Sequence, residues 1–283
     1  MEKAALEKFV TDYINTAPGN FVPAEIALRP ELAGMRIFEE PIFGYADAGD
    51  PLFPELKKPE IIGGHFLLPE EWLPGAKTVI SAFLPFTERV REGNRSSGKN
   101  PSAEWYHARI EGQDFQDAVC DRIKSLFEAE GVPCAAPMTD SRFARGTPLV
   151  TDRNQQGYYT SNWSERHAAY ICGLGTFGLS RGLITSRGIA GRFISVITAA
   201  CFEPSPRSYS GVYEYCTRCG ACARNCPAGA ISPEKGKIHP VCSEFQEGWR
   251  KTFNIRYSCG KCQVKAPCEK RIPAGNARGR RAP

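Results

Sequence analysis

Cys216, Cys219, Cys222 and Cys226 fall in the stretch C-T-R-C-G-A-C-A-R-N-C-P, a C-x2-C-x2-C-x3-C-P run. No other part of the chain restricts its folding so tightly. Three thiols at two-residue intervals can surround one compact core only if the intervening backbone winds closely and aims its N–H groups inward. The fourth, followed by Pro227, is turned away. This is the bacterial ferredoxin spacing for [4Fe-4S] ligation, and it requires further ligands downstream. Cys242, the pair Cys259-G-K-Cys262, and Cys268 supply them, bringing the candidates to the eight that two cubanes need. Crossed as ferredoxins cross them, cluster one takes Cys216, Cys219, Cys222 and Cys268, and cluster two takes Cys226, Cys242, Cys259 and Cys262. Cys268 is the irregular member, with five residues between it and Cys262 and no proline after it.

Two four-thiolate zinc sites are the alternative for paired C-x2-C motifs. Zinc has no need of the compact four-cysteine run, so iron–sulfur is the better reading. A disulfide framework fits less well. The first fifteen residues lack the apolar run of a signal peptide, and 283 residues fold without covalent staples. A reducing compartment, the cytoplasm, is therefore expected. No run of 18 apolar residues is present, so no membrane-spanning helix is expected. Cys120, Cys134, Cys172 and Cys201 sit among apolar neighbours and read as small buried hydrophobes.

The formal charge of +5 conceals an asymmetry. From residue 216 onward 14 Lys and Arg face 4 Glu and no Asp, a balance of +10 that leaves −5 for residues 1–215. Such a basic third is compatible with RNA, yet it contains no recognised RNA-binding module. A cubane with four thiolates carries about −2, so two clusters cancel about four of these charges. The terminal A-R-G-R-R-A-P reads as a solvated end.

Along the chain, Leu6, Phe9, Val10, Tyr13 and Ile14 share one face of an opening helix over residues 2–15. Residues 16–75, rich in Pro and Gly, read as loops with a few short strands, the apolar run at 60–68 among them. Residues 77–85 form a buried strand stopped by Pro85. The polar stretch 94–101 reads as a mobile loop of the kind that serves as a lid. Phe115, Val119, Ile123, Leu126 and Phe127 predict one long helix over 102–131, followed by a short strand at 132–136. Asn162 with Glu165 three residues on marks a helix start, the helix running to Gly173. Strands follow at 182–185 and 192–199. This alternation predicts an α/β or α+β main domain over residues 1–210, with a ferredoxin-like two-cluster module over 211–283.

The segment from Glu165 through G-L-G-T-F-G, the apolar L-I stretch and R-F-I-S-V-I-T, followed by the cysteine run, resembles one superfamily. It comprises the epoxyqueuosine reductases and the cobalamin-dependent reductive dehalogenases. The resemblance extends to Leu73-P-G-A-K-T-V-I and to Tyr106-H-A-R, and covers roughly residues 70–270. It implies a nitroreductase-like domain that holds cobalamin base-off, without a protein histidine, and two clusters that pass electrons to cobalt. His65, His107, His167 and His239 are the only histidines, and none stands in a D-x-H-x-x-G arrangement. The resemblance also places Arg166 near the corrinoid, with Gly173, Gly175 and Gly178 allowing close backbone approach to it. As a dinucleotide motif G-L-G-T-F-G fits poorly, because it follows a helix signal and not a strand.

Two departures bear on substrate. Where epoxyqueuosine reductases carry a proton-donating Asp six residues before the Glu-Arg pair, this chain has Tyr159, beside Tyr158. Dehalogenases use a tyrosine as acid, so Tyr159 is the candidate proton donor. The helical repeat domain of the epoxyqueuosine reductases is not found after the clusters, nor a twin-arginine export signal before the main domain. The expected activity is reduction of a small organic substrate, fed by an external low-potential electron donor. The alternatives are an electron-transfer protein that activates a partner's corrinoid or metal site, and tRNA epoxyqueuosine reduction.

Overall fold

The computed structural model describes residues 1–146, 160–253 and 256–275. Tyr158, Tyr159 and the arginine-rich tail lie outside the described residues. Helix α1 (Lys3–Thr16) buries Leu6, Val10 and Ile14 on the face its periodicity predicts. Strand β1 (Ile42–Asp47) pairs antiparallel with β2 (Thr78–Pro85), whose eight residues are all buried. Helices α2 (Glu88–Ser96), α3 (Ala103–Arg109) and α4 (Glu111–Ala129) follow, then β3 (Cys134–Ala135) and α5 (Glu165–Ile171). Strands β4 (Gly175–Phe177) and β5 (Leu183–Thr185) make a small hairpin before β6 (Gly191–Thr198). The main sheet has the order β1-β2-β6-β3 and is antiparallel throughout, so the main domain is of mixed α and β type.

Both faces of the central strands are covered, which accounts for their continuous apolar sequence. Along β2, Ile80, Ala82 and Leu84 join one core with α1 and α4 residues such as Phe115, Val119 and Phe127. Val79 and Phe83 alternate to the other face, where Trp163, Trp72, Phe53, Phe66 and α5 pack. On β6, Ser195 faces this second layer and accepts Trp163 Nε1–H at 2.9 Å.

Several sequence expectations need correction. Residues 102–131 do not form one helix: Ile110, with φ −91° and ψ −72°, ends α3 and starts α4. The break lets Trp105 and Phe115 face different partners, Phe86 and Phe38 respectively. Asn162 caps no helix; its Oδ1 accepts Ala144 N–H at 2.9 Å, its Nδ2 donates to Arg142 O, and α5 begins after Ser164. Stretch 94–101 begins inside α2, and Asn94 is fully buried. The run at 60–68 is turns and not strand, and the short strand of this region is β1. Among the scattered cysteines Cys120 and Cys172 are buried, Cys134 is half-buried and Cys201 is exposed.

The cysteine-rich segment contains α6 (Ala221–Arg224), the two-residue strands β7 (Ile231–Ser232) and β8 (Gly236–Lys237), and α7 (His239–Phe253). No helix among the described residues is long and apolar enough to cross a membrane.

Candidate functional site

Between Cys219 and Cys222 the chain turns at Gly220, whose φ of 71° is the left-handed conformation glycine adopts without strain, and enters α6. Cys216, Cys219, Cys222 and Cys268 line one small cavity, together with Gly178, Ile184, Ile189 and Pro273. Cys268 arrives from the far end of the segment. It is held there because its carbonyl accepts Ile189 N–H at 2.9 Å, while Gly188 leaves no room for a side chain against Glu269 and Lys270. Its thiol is pushed up to about 12 by burial and then by the fields of Cys216, Cys222 and Cys219.

The other four cysteines form a second set. Cys259 is pushed up to about 12 by burial, with Cys262, Cys242 and Cys226 adding to the shift. Ala230 N–H donates to Cys226 Sγ and Gln246 Nε2 to Cys242 Sγ, each at 3.3 Å. The two sets adjoin, since Cys222 feels Cys262 as well as Cys216 and Cys219. No three described His, Cys, Asp or Glu side chains converge as for a single metal ion. Were the four thiols of a set ionised together, they would repel one another unless a cationic core sat among them.

The second set is fastened to the main domain. Asn94 Nδ2 donates to Cys259 O at 3.0 Å, and its Oδ1 accepts Ser102 N–H at 3.2 Å. Lys261, buried between Cys259 and Cys262, donates to Asn94 O at 2.6 Å and Ser97 Oγ at 2.8 Å. Gly260 lies flat against the Trp105 indole.

A larger open cavity of about 550 Å³ lies where both parts of the chain meet. Ser161, Ser164, Arg166, His167, Tyr170 and Phe177 line it from the main domain, and Lys237 and His239 from the cysteine-rich segment. Burial, then Arg166, pushes His167 down to about 4, and its Nδ1 is 2.8 Å from Ser164 Oγ. His239 is pushed down to about 4 by burial, then by Lys237, Arg181 and Arg166. Both imidazoles are neutral at pH 7, so the cationic groups in the lining are Arg166, Arg181 and Lys237. His239, which lines the cavity, opens α7, and Cys242 of the second set follows within a turn, while Arg166 and Lys237 also act on Cys262.

Of the residues singled out in sequence, the eight cysteines gather as two sets of four and Arg166 lines the larger cavity. Gly173 and Gly175 do not line it. A Cβ on Gly173 would press on Pro206 O at 3.1 Å, and one on Gly175 would overlap Ile184 O, so chain packing accounts for both glycines. Gly178 lines the first cysteine cavity. Tyr159 lies outside the described residues, although Thr160 and Ser161 line the larger cavity. Sequence reasoning missed Asn94, His167, Lys237, His239 and Lys261. His167, beside Arg166, and Lys261, beside Cys262, stood next to marked residues, whereas Asn94 meets its partner Cys259 across 165 residues.

Residues 211–232 match the family of 4Fe-4S binding domains. A trichloroethene reductive dehalogenase of Dehalococcoides mccartyi is 30% identical over 77 residues, 26% of this chain and 14% of that protein. Among solved structures, an epoxyqueuosine reductase with an epoxyqueuosine-modified tRNA-Tyr stem loop superposes with a TM-score of 0.51. It is 18% identical, over 94% of this chain and 66% of that one. A catabolic reductive dehalogenase superposes with a TM-score of 0.50 at 13% identity, over 82% of this chain and 30% of that one. The chain thus has the fold of the epoxyqueuosine reductases and reductive dehalogenases, with a 4Fe-4S binding segment, and spans only part of each relative's length.

Proposed function

We propose that the chain is a corrinoid-dependent reductase in which two [4Fe-4S] clusters pass electrons to a base-off cobalamin in the larger cavity, for reduction of a small organic substrate. On this reading residues 1–210 are the corrinoid-binding domain and residues 211–283 the electron-delivery module. The observation that carries it is the position of that cavity: about 550 Å³, walled by both parts and adjoining the second cysteine set. Cys216, Cys219, Cys222 and Cys268 hold one cluster, Cys226, Cys242, Cys259 and Cys262 the other.

The donor chemistry fits. The volume suits a bulky cofactor, and its wall mixes apolar Ile61, Ile62, Ile171 and Phe177 with Ser161, Ser164 and Arg166. The corrinoid, when bound, supplies a cobalt centre able to transfer electrons to carbon. The chain's own residues do the rest. Phe177 and Ile171 exclude water, Arg166 and Lys237 offset negative charge between the cluster and the cavity, and the hydroxyls orient polar edges. Tyr159, one residue before cavity-lining Thr160, is the proton donor of this reading.

Anaerobic production with cobalamin in the medium tests the reading through elemental analysis and the visible spectrum. About eight irons with near-stoichiometric cobalt support it. Eight irons and no cobalt, even after cofactor is offered to reduced protein, would replace it with electron transfer to a partner. A second reading, tRNA epoxyqueuosine reduction, is favoured by the fold shared with a reductase solved on a tRNA stem loop. Salt-sensitive binding of that stem loop would support it.

A further inference from the structure

The segments that supply the first four cysteines expose mostly cations, with Glu214, two residues before Cys216, the exposed acid at their edge. Within residues 216–226 and 264–275 the basic residues are Arg218, Arg224, Lys265, Lys270 and Arg271, all exposed. The single acid in these stretches, Glu269, is turned inward and 6% exposed. It accepts from Arg95 Nη1 at 2.6 Å and from Lys265 N–H at 2.8 Å, so it neutralises a main-domain arginine and not the rim. Arg218 and Lys265 hold φ of 51° and 52°. Residues with a side chain are strained there and glycine is not, yet both positions carry a cation.

Cys219 stands within this rim. It is the exposed ligand of the first set, whereas Cys216, Cys222 and Cys268 are half-buried, as are all four of the second. Arg224 Nη1 donates to Cys219 O at 3.0 Å, which fixes a cation at the same edge. Electron tunnelling through protein falls steeply with distance, so the exposed ligand is the natural point of entry. The second set, beside the larger cavity, is the natural exit.

We propose that this rim is the docking surface for an acidic electron-carrier protein that presents carboxylates around its own redox centre. The carrier loses one electron and the first cluster gains it; no bond forms or breaks and no proton moves. The proposal rests on the reading of the first set as a cluster, and not on cobalamin. Complementary charge raises the encounter rate of such a pair and makes it depend on salt. Phosphates of RNA would also meet these cations, but would gain nothing from an exposed cluster ligand beside Arg218 and Arg224.

Iron analysis comes first, because protein without iron would sink the cluster reading itself. Stopped-flow mixing under anaerobic conditions then follows bleaching of the cluster absorption by reduced flavodoxin, an acidic flavoprotein used as probe. The K270E/R271E double variant should slow bleaching by about tenfold at low salt, and high salt should slow the wild type comparably. Reduction by titanium(III) citrate and the iron content should not change, and Lys8→Glu on α1 should behave as wild type. R218E, between two ligands, extends the series where it retains iron. Equal flavodoxin rates for wild type and the double variant, insensitive to salt, would overturn the proposal. Unchanged flavodoxin rates with lost affinity for a tRNA stem loop would overturn it in favour of an RNA surface.

Discussion

Gly260 has a φ of 64°, and a Cβ built there would lie 1.9 Å from Trp105 Cε2. Alanine would add backbone strain of about 1 kcal/mol and displace a packed indole that has little room to move. Gly260→Ala should therefore lose the second cluster and keep the first, leaving roughly half the iron by elemental analysis. A full complement of iron would refute this account of the glycine. Glu165 poses a different residue-scale question. Its oxygens are buried beside Ser195 and Trp163, whose pull on the charged form is weaker than the effect of burial. Burial pushes its carboxyl up to about 8. Because the folded value lies above the ordinary one, the unfolded chain releases this proton first. Stability is therefore lost as pH rises from about 4.5 towards about 8. Glu165→Gln should remove that loss, gaining on the wild type by roughly 1–3 kcal/mol between pH 5 and pH 8 in paired unfolding measurements. Parallel pH profiles for the two proteins would show that the carboxyl ionises without penalty.

At the scale of elements, α2 is where the main domain grips the cluster segment. Asn94→Ala would strip Ser102 N–H and Cys259 O of a partner in a buried place, at a cost of about 2–4 kcal/mol. The variant should melt lower and release iron from the second set faster to a chelator. A change in melting without a change in release would mean that Asn94 serves the main domain alone. This element also marks where sequence reading stopped. The cysteine run, the β2 and β6 strands and the face of α1 were legible because their signals are local: fixed spacing, unbroken apolar runs, helical period. Asn94 looked like the start of a mobile loop because its partner lies 165 residues away. The Ile110 break was invisible for a similar reason. The apolar period survives it, because Trp105 and Phe115 join the same core, and only the Ile110 backbone reveals two helices. Gly173 and Gly175 looked like a cofactor cradle when the backbone they admit is the chain's own.

The whole molecule is held together by an unequal partnership. The main domain has a sheet buried on both faces, whereas residues 211–275 bury only Ala221, Ala230, Ile231 and Val264 among their described hydrophobic side chains. So small a core cannot hold itself, and ligation must supply the folding free energy of the module. Yet the module closes parts of its neighbour: Gly260 covers Trp105, Cys268 and Glu269 back the Gly188 turn, and Arg256 pairs with Glu111 on α4 at 2.6 Å. Removing iron by oxidation and chelation should therefore unfold the module and uncover Trp105, leaving the sheet intact. Near-UV signals from the Trp163 cluster should persist, melting should shift down, and iodide should newly quench tryptophan fluorescence. Trp249 on α7 will contribute to that quenching, so the same experiment on Trp105→Phe isolates the interface, and the difference between the two proteins is the quantity to read. No difference would mean that α2 and α3 keep Trp105 covered without the module, and that the clusters stabilise only the segment that binds them.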